Sequence, residues 1–448
     1  MRTAEHFRLN WQLAWPVMIG QVGHVLVGLA DSIMIGRLGT APLAAAAFAN
    51  SIFIIPMIFG IGMAIGLTTP VANADGQGKP LLVRSYLKHG LYTMGGLALF
   101  LGLLLVAIQG LLPYFGQEAA VSRLAQPYFG LLSVSLLPLL LFLTGKQFAE
   151  GLSDTRPAMA ISIGANLINI GLNYLLIYGT AGFPALGLNG AGLATLIARV
   201  LMALGMTLYV FRKPAFRAYT QAIRWGETRR AHFRKLLQLG IPSGLQYVFE
   251  VSAFAAAAVM MGWISAEALA AHQVAISLAS VSYMAASGFG TAANVRVSNQ
   301  LGAQRPQVME QAGYTNFYAV LVFMLFWGLL YAGGRHYFPT WYSEDPRVVQ
   351  LAAELLLVAI FFQLSDGLQV TALGALRGLS DTRIPTLITF GSYWLLGVGG
   401  AYLAAFVFSF QALGIWFGLA LGLTGSAVFL TWRFVNRCRH LAATPINS

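Results

Sequence analysis

The sequence Gly-Leu-Ser-Asp-Thr-Arg at residues 151–156 recurs at residues 378–383, and this duplicated stretch decides the fold. A proline follows each copy, at Pro157 and at Pro385. The two copies are 227 residues apart, which is close to half of the 448-residue chain. Because a fixed-period repeat governs a whole architecture, it is interpreted before any single element.

Further pairs of residues keep nearly the same offset and extend the repeat toward the start of the chain. At an offset of 226, the matched pairs are Pro16 with Pro242, residues 43–45 with 269–271, Asn73 with Asn299, and Gly76 with Gly302. A register held from Pro16 to Arg156 is not a chance identity. The sequence therefore predicts a tandem duplication, and the apolar segments around each hexapeptide indicate a membrane protein.

The composition excludes a soluble protein. Hydrophobic residues make up 57% of the chain and charged residues only 9%, whereas soluble domains carry about 25% charged residues. The single cysteine, Cys438, excludes an intrachain disulfide. The first ten residues lack the pattern of a cleavable signal peptide, so we expect the first apolar segment to stay in place as a helix.

Twelve apolar segments reach the length of about 20 residues that a spanning helix needs. They cover approximately residues 12–36, 46–72, 89–112, 125–149, 158–179, 190–211, 238–262, 269–296, 313–334, 349–376, 386–408 and 412–434. The predicted fold is an all-α integral membrane protein with 12 transmembrane helices in two homologous six-helix bundles. Its predicted domains are an N-terminal lobe at 1–211, a basic cytoplasmic linker at 212–235, a C-terminal lobe at 236–434 and a cytoplasmic tail at 435–448.

Lysine and arginine are distributed unevenly between the two sides of the predicted bundle. The outer loops hold only Arg37, Arg123, Arg335 and Arg347, while 21 of the 27 basic residues fall on the inner side. This bias predicts a protein of the inner cell membrane with both termini in the cytoplasm. The net charge of +12 follows from this topology and from contact with anionic lipid headgroups, so no nucleic-acid partner is needed. We expect membrane lipids as partners and a monomeric protein.

Three carboxylates lie well inside predicted spans: Asp31 in the first, Glu250 in the seventh and Asp366 in the tenth. A carboxylate in a bilayer is costly, so it normally faces a cavity and marks an ion or proton path. The alternative is a structural partner for a buried arginine. Arg199 is the one candidate deep in a span, and a single arginine cannot neutralise three carboxylates.

Each carboxylate belongs to a stripe of polar side chains on one helical face. The stripes are Gln21, His24 and Asp31; Ser243, Gln246 and Glu250; Gln363, Asp366 and Gln369; Asn166, Asn169 and Asn173; and Gln273, Ser277 and Ser280. Five stripes indicate a wet central cavity, and we interpret their amides and His24 as candidates for substrate contact. Amides also join transmembrane helices, so a packing role stays open for the asparagine stripe. His24 and His272 lack a second ligand at metal spacing, which favours packing for both.

The duplicated hexapeptide carries one aspartate in each copy, Asp154 and Asp381. Both lie at the inner ends of predicted helices, two residues before an arginine. We predict that they brace short loops and that neither binds a coupling ion.

The sequence resembles the multidrug and toxic compound extrusion (MATE) family, specifically its NorM-like branch. The resemblance covers nearly the whole chain and is carried by residues 30–36, 249–251, 270–275 and 375–378 together with Asp366. It implies export of organic cations and other drugs, driven by inward flow of sodium ions or protons. It also implies that Glu250 and Asp366 form the cation site of the C-terminal lobe, binding sodium if sodium is the coupling ion. Asp31 would be the carboxylate of the N-terminal lobe, and no cofactor is expected.

Other function classes fit the residues less well. A lipid-linked oligosaccharide flippase has a comparable bundle. Its anionic cargo would require arginines in the cavity, where this chain has carboxylates. An enzyme would need a nucleophile with a base or a metal cluster, and none is evident. A channel is disfavoured because paired carboxylates favour occlusion, and ATP-driven transport within this chain is disfavoured because no Walker motif occurs. Oxygen ligands at this spacing serve sodium ions and protons alike, so both remain open.

Overall fold

The protein is built from twelve long helices in the computed structural model, which describes residues 3–443. They are α1 (Thr3–Gly36), α2 (Thr40–Gly76), α3 (Pro80–Gln109), α4 (Ala119–Gly151), α5 (Arg156–Tyr178), α6 (Leu188–Arg212), α7 (Arg230–Ile264), α8 (Ala266–Gly302), α9 (Pro306–Gly334), α10 (Pro346–Gly378), α11 (Arg383–Val407) and α12 (Gln411–Ala443). Each is long and apolar enough to cross a membrane. No strand occurs in the described residues, and the predicted all-α fold with twelve transmembrane helices is confirmed.

Two of the long helices are irregular in ways that the sequence did not predict. Helix α2 consists of two segments, Thr40–Ile65 and Thr68–Gly76. Helix α11 is π-helical over Gly391–Val398 and again over Leu403–Val407. π-Helical turns occur frequently at functional sites. In this protein the first π-helical segment contributes a tyrosine beside the candidate site described below.

The duplicated hexapeptide forms the same turn in both halves of the chain. Its serine has a left-handed backbone, with φ of 63° at Ser153 and 59° at Ser380. The next amide, of Asp154 or Asp381, donates to the carbonyl five residues earlier at 2.9 Å in both copies. A positive φ is uncommon for a residue other than glycine. The repeat in sequence is therefore also a repeat in backbone conformation.

The glycine that opens each copy allows two helices to approach closely. A Cβ atom on Gly151 would lie 2.8 Å from Cγ1 of Val71 in α2, and one on Gly378 would lie 2.9 Å from the carbonyl oxygen of Asn294 in α8. Real Cβ atoms essentially never come so near, so both positions require glycine. The close pairs α2–α4 and α8–α10 correspond through the duplication.

Each aspartate of the duplicated turn has a basic partner. Asp154 accepts hydrogen bonds from the Tyr209 hydroxyl at 2.6 Å and from the ammonium group of Lys213. Asp381 accepts from Arg433 Nε at 2.9 Å and lies 3.4 Å from Arg437 Nε, both on α12. These contacts tie the turns to later helices, as expected for residues that brace loops.

The described residues form two compact units. One comprises residues 3–18, 76–78 and 245–443; the other comprises 19–75 and 79–244. The start of α1 therefore groups with the second half of the chain, and the start of α7 with the first half. The predicted lobes at 1–211 and 236–434, with their linker and tail, stay a prediction. The last five residues of the predicted tail, 444–448, lie outside the described residues.

The basic linker is partly helical and is fastened along one face of α3. It contains short helices at Pro214–Phe216 and Arg217–Thr220, and α7 begins at Arg230, inside the predicted linker. Four side chains of α3 bind main-chain atoms of the linker. Three of them donate to carbonyl oxygens: Arg84 to Ala218 at 2.8 Å, Lys88 to Arg224 at 2.8 Å and Tyr92 to Trp225 at 2.9 Å. The fourth, His89, accepts at Nε2 from the amide of Arg229 at 2.9 Å. We call this set of hydrogen bonds the linker clasp.

Candidate cation site

Glu250 lies on the buried face of α7, in the unit that contains most of the second half of the chain. Its side chain is 7% exposed, and Ser243 and Gln246 on the same stripe are fully buried. The small residues Ala253 and Ala257 continue this face with no exposed surface, so helices can pack closely around the carboxyl group. The predicted stripe is therefore a buried one.

Three side chains from other helices of the same unit act on the Glu250 carboxyl group. The phenols of Tyr283 in α8 and Tyr393 in α11 interact with it directly, and the positive charge of Arg377 in α10 reaches it. Tyr393 also donates to Gln369 Oε1 at 2.8 Å. Four helices thus converge on one carboxyl group.

Asp366 lies on α10, is 5% exposed, and interacts electrostatically with Glu250. The two carboxylates that the resemblance assigns to one site therefore act on each other within this unit, and their role as a cation site stays a prediction. Its stripe neighbours Gln363 and Gln369 are fully buried. Among the residues that the structure describes, neither amide atom of Gln363 has a hydrogen-bond partner, and Gln369 Nε2 has none either.

Unsatisfied buried amides are costly, and in native proteins they usually have a water or ion as partner. The two carboxylates and the Gln363 oxygen are the oxygen donors that a hard cation prefers. A proton on one of the carboxyl groups would serve equally well to relieve their mutual repulsion. The residues present therefore fit both candidate coupling ions.

Gln246 does not belong to this set, although it was predicted as a substrate contact. Its nitrogen donates to Thr386 Oγ1 at 3.0 Å and to Thr382 O at 3.3 Å, and its oxygen accepts from Arg377 at 2.6 Å. Every polar atom of the amide thus has a protein partner. In this structure no polar atom of Gln246 is left to contact a substrate, which argues against the role predicted for it.

The other unit has its own carboxylate cluster around Asp31 of α1. Asn173 Nδ2 donates to Asp31 Oδ1, and the Asn169 amide nitrogen can donate to the same oxygen at 3.1 Å. Arg199 acts electrostatically on Asp31 while donating to Ser135 Oγ at 2.7 Å. Two of the three asparagines in the predicted stripe therefore surround this carboxylate.

The remaining predicted contacts are less buried than the carboxylate pair of Glu250 and Asp366. Gln21 and Asn166 are half-buried, and His24 and Gln273 are exposed. These four side chains do not join either carboxylate cluster in the described contacts. The sequence pattern correctly aligned them on helix faces, but it did not indicate how deeply each face is buried.

Comparison with known proteins identifies the family. A family model described as MatE matches this chain twice, at residues 16–175 and 242–403. The chain belongs to the MatE family. The two matched segments repeat the offset found in the sequence, and the MATE protein is accordingly a multi-pass membrane transporter and not an enzyme.

Curated relatives match over nearly their full length. A probable multidrug resistance protein NorM of Rhodopseudomonas palustris is 37% identical, with 97% of this chain and 92% of that protein covered. A multidrug resistance protein NorM of Aliivibrio fischeri is 33% identical, with 95% and 93% covered.

Among solved structures, a MATE in complex with MaD3S aligns with a TM-score of 0.91 and 20% identity, covering 98% of this chain and 97% of that one. The eukaryotic MATE transporter AtDTX14 aligns with a TM-score of 0.87 and 22% identity, covering 98% of both chains. Both likenesses show the fold.

Two buried charges of this MATE protein escaped the sequence analysis. Glu150 is 1% exposed inside α4 and lies 3.7 Å from Lys146 Nζ, whereas the predicted span ended one residue before it. Arg377 is 6% exposed. An available signal was missed: at the offset of 227, Glu150 and Arg377 occupy corresponding positions with opposite charges.

His272 has the packing role that the sequence predicted for it. Its Nδ1 accepts a hydrogen bond from Trp416 Nε1 at 3.1 Å. Within residues 3–443, no group of three or more histidine, cysteine or acidic side chains could hold a metal ion.

Proposed function

We propose that this MATE protein exports organic cations and related drugs in exchange for sodium ions or protons, by alternating access of its two lobes. Relatives that are more than 30% identical over nearly the whole chain carry the name multidrug resistance protein, which supports drugs as the cargo. The coupling ion and the cationic character of the drugs are inferred from the carboxylates.

The observation that carries the proposal is the buried pair of Glu250 and Asp366. Two carboxylates that interact away from water repel each other, and either a proton on one of them or a cation bound between them relieves this repulsion. An organic cation competes for the same negative charge. Competition at one site is enough for antiport if the site opens to one side of the membrane at a time.

Asp31 supplies a second acidic position, in the other unit. Its carboxylate is held by Asn173 and lies within the electrostatic reach of Arg199. We assign it a role in drug transport that is separate from the Glu250–Asp366 pair, because the two clusters are built from different units. The half-buried and exposed polar side chains Gln21, His24, Asn166 and Gln273 remain candidates for substrate contact.

The proposal includes a place for the protein in the cell. The bias of 21 basic residues against four supports an inner-membrane protein with both termini in the cytoplasm. We further propose that the protein works as a monomer surrounded by lipid, without a cofactor and without nucleic acid as a partner. The transported ion is then its only inorganic requirement.

Reconstitution tests this function directly. Purified protein in proteoliposomes is given a fluorescent lipophilic cation, and a sodium gradient and a pH gradient are imposed separately. We expect uptake or release of the dye against its own gradient with at least one of the two ions. Dye movement that ignores both gradients would contradict antiport, and the absence of any dye binding would contradict a cationic cargo.

A further inference from the structure

Arg377 lies between the carboxylate pair and the end of α10 that carries the duplicated turn. It is the penultimate residue of α10, and only 6% of its surface is exposed. Its Nη2 donates to Gln246 Oε1 at 2.6 Å, and its guanidinium carbon lies 5.4 Å from the centre of the Tyr247 ring. Gln246 precedes Glu250 by one turn of α7. The guanidinium is therefore fixed about one turn away from the Glu250 carboxyl group.

The orientation of this arginine is held by a chain of hydrogen bonds. The nitrogen of Gln246 is occupied by Thr386 Oγ1 and the Thr382 carbonyl, both near the start of α11. The amide oxygen must then face Arg377. Stacking on the ring of Tyr247 adds a second constraint, because a guanidinium is attracted to the face of an aromatic ring.

The charge of Arg377 acts on Glu250. A cation between Glu250 and the Gly378 end of α10 is repelled by this fixed positive charge, because Arg377 lies at that end of the helix. At roughly 5 Å and an effective dielectric constant of about 20, such a repulsion lowers the local occupancy of a cation about a hundredfold. The repulsion falls with distance, so it is weaker toward the opposite end of α10.

We propose that Arg377 is a positioning residue that acts as a positive barrier, keeping the coupling cation at Glu250 and Asp366 from exchanging with the end of the helices that carries the duplicated turn. In the proposed orientation this end faces the cytoplasm. With this barrier, release of the coupling cation from Glu250 and Asp366 depends on the drug, because the drug has to replace the cation at the carboxylates. This inference rests on the proposed antiport function.

The test measures ion leak without drug in proteoliposomes. The wild-type protein is first assayed with both gradients and a cationic dye, and the ion that it couples is then used throughout. For Arg377→Gln we expect drug-free dissipation of that ion gradient to rise about tenfold or more over wild type. Arg377→Lys keeps the charge and should stay within about threefold of wild type. Arg383→Gln, an exposed arginine at the start of α11, is the matched control and should not leak.

A second readout separates a barrier from a merely structural arginine. Loss of the positive charge should make the site bind the coupling ion more tightly, by about tenfold in Kd for sodium, or as an equal shift in the proton concentration that half-maximally displaces the dye. A variant that was only destabilised would bind more weakly. If Arg377→Gln does not fold, Gln246→Leu serves as the test. It keeps the arginine but removes its hydrogen-bond acceptor, so we expect a measurably greater ion leak than in wild type.

The outcomes are distinct. If the wild type couples dye to neither ion, the proposed function fails and this inference falls with it. If the wild type is coupled, but folded Arg377→Gln shows neither a greater leak nor tighter ion binding, the barrier is wrong and the antiport function stands. The barrier is equally wrong if Arg377→Gln cannot be folded and Gln246→Leu shows no greater ion leak than wild type.

Discussion

Glu250 has no acidic counterpart in the other half of the chain. At the offset of 226 it corresponds to His24, and Asp31 corresponds to Ala257. The duplication therefore preserved the charged turn at the helix ends, while the charged side chains inside the spans diverged. Such divergence gives each unit one acidic cluster of its own composition, instead of two copies of the same site.

Replacing Glu250 by glutamine tests its role as the coupling residue. Glu250→Gln keeps the shape and hydrogen bonding of the side chain but removes the charge for which cation and drug compete. We expect gradient-driven dye efflux to fall at least tenfold, while some dye binding survives. The assay compares efflux with and without the gradient in proteoliposomes. Glu267→Gln, a carboxylate at the exposed start of α8, is the control and should transport normally. Efflux of Glu250→Gln at the wild-type rate would refute the mechanism.

Asp31 should affect drug transport without changing ion binding in the other unit. Asp31→Asn retains an oxygen that can accept the hydrogen bond from Asn173, so the local structure should persist. We expect drug resistance of cells to fall severalfold, while isothermal titration shows the coupling ion still bound with a Kd within about twofold of wild type. Equal loss of both properties would mean that the two clusters operate as one site.

At the level of elements, the duplicated turn offers a matched pair of substitutions. Asp381→Asn removes charge-assisted hydrogen bonds from a side chain that is 7% exposed, and such bonds contribute about 1.5–3 kcal/mol each. The equivalent carboxylate of Asp154 is 21% exposed, so Asp154→Asn should cost less. Thermal unfolding in detergent should rank wild type above Asp154→Asn, and Asp154→Asn above Asp381→Asn. Both variants should bind the coupling ion normally; loss of ion binding in folded Asp381→Asn would contradict the bracing role.

For the whole molecule, the orientation of the bundle can be tested by labelling. The linker should be cytoplasmic, because basic residues concentrate there. The side chain of Arg224 in this linker is 80% exposed, so Arg224→Cys is a suitable probe. We expect no reaction with an impermeant thiol reagent outside intact cells and full reaction in lysed cells. Arg123→Cys, in a predicted outer loop, should react from outside, and both are made in a Cys438→Ala background. Outside labelling of Arg224→Cys would invert the topology.

The sequence predicted those features that depend on local composition or on the repeat. The lengths of the apolar runs predicted twelve helices, and the polar stripe predicted Gln363, Asp366 and Gln369 on one face. Burial of helix ends was not predictable, because it depends on which neighbouring helix covers them. Glu150 and Arg377 therefore went unnoticed, as did the complete pairing of Gln246 with side chains and a carbonyl more than 100 residues away.

The linker clasp has a consequence for evolution. Three of its acceptors are main-chain carbonyls, of Ala218, Arg224 and Trp225, and its fourth contact is with a main-chain amide. Every residue supplies a main-chain carbonyl, and every residue except proline supplies a main-chain amide. The identities of the linker side chains are therefore nearly irrelevant to these bonds, whereas the side chains on α3 that make them cannot be exchanged freely. Sequence drift in this protein should accumulate on one partner of the contact and spare the other, so that a saturation library would tolerate far more changes across residues 218–229 than at Arg84 and Lys88.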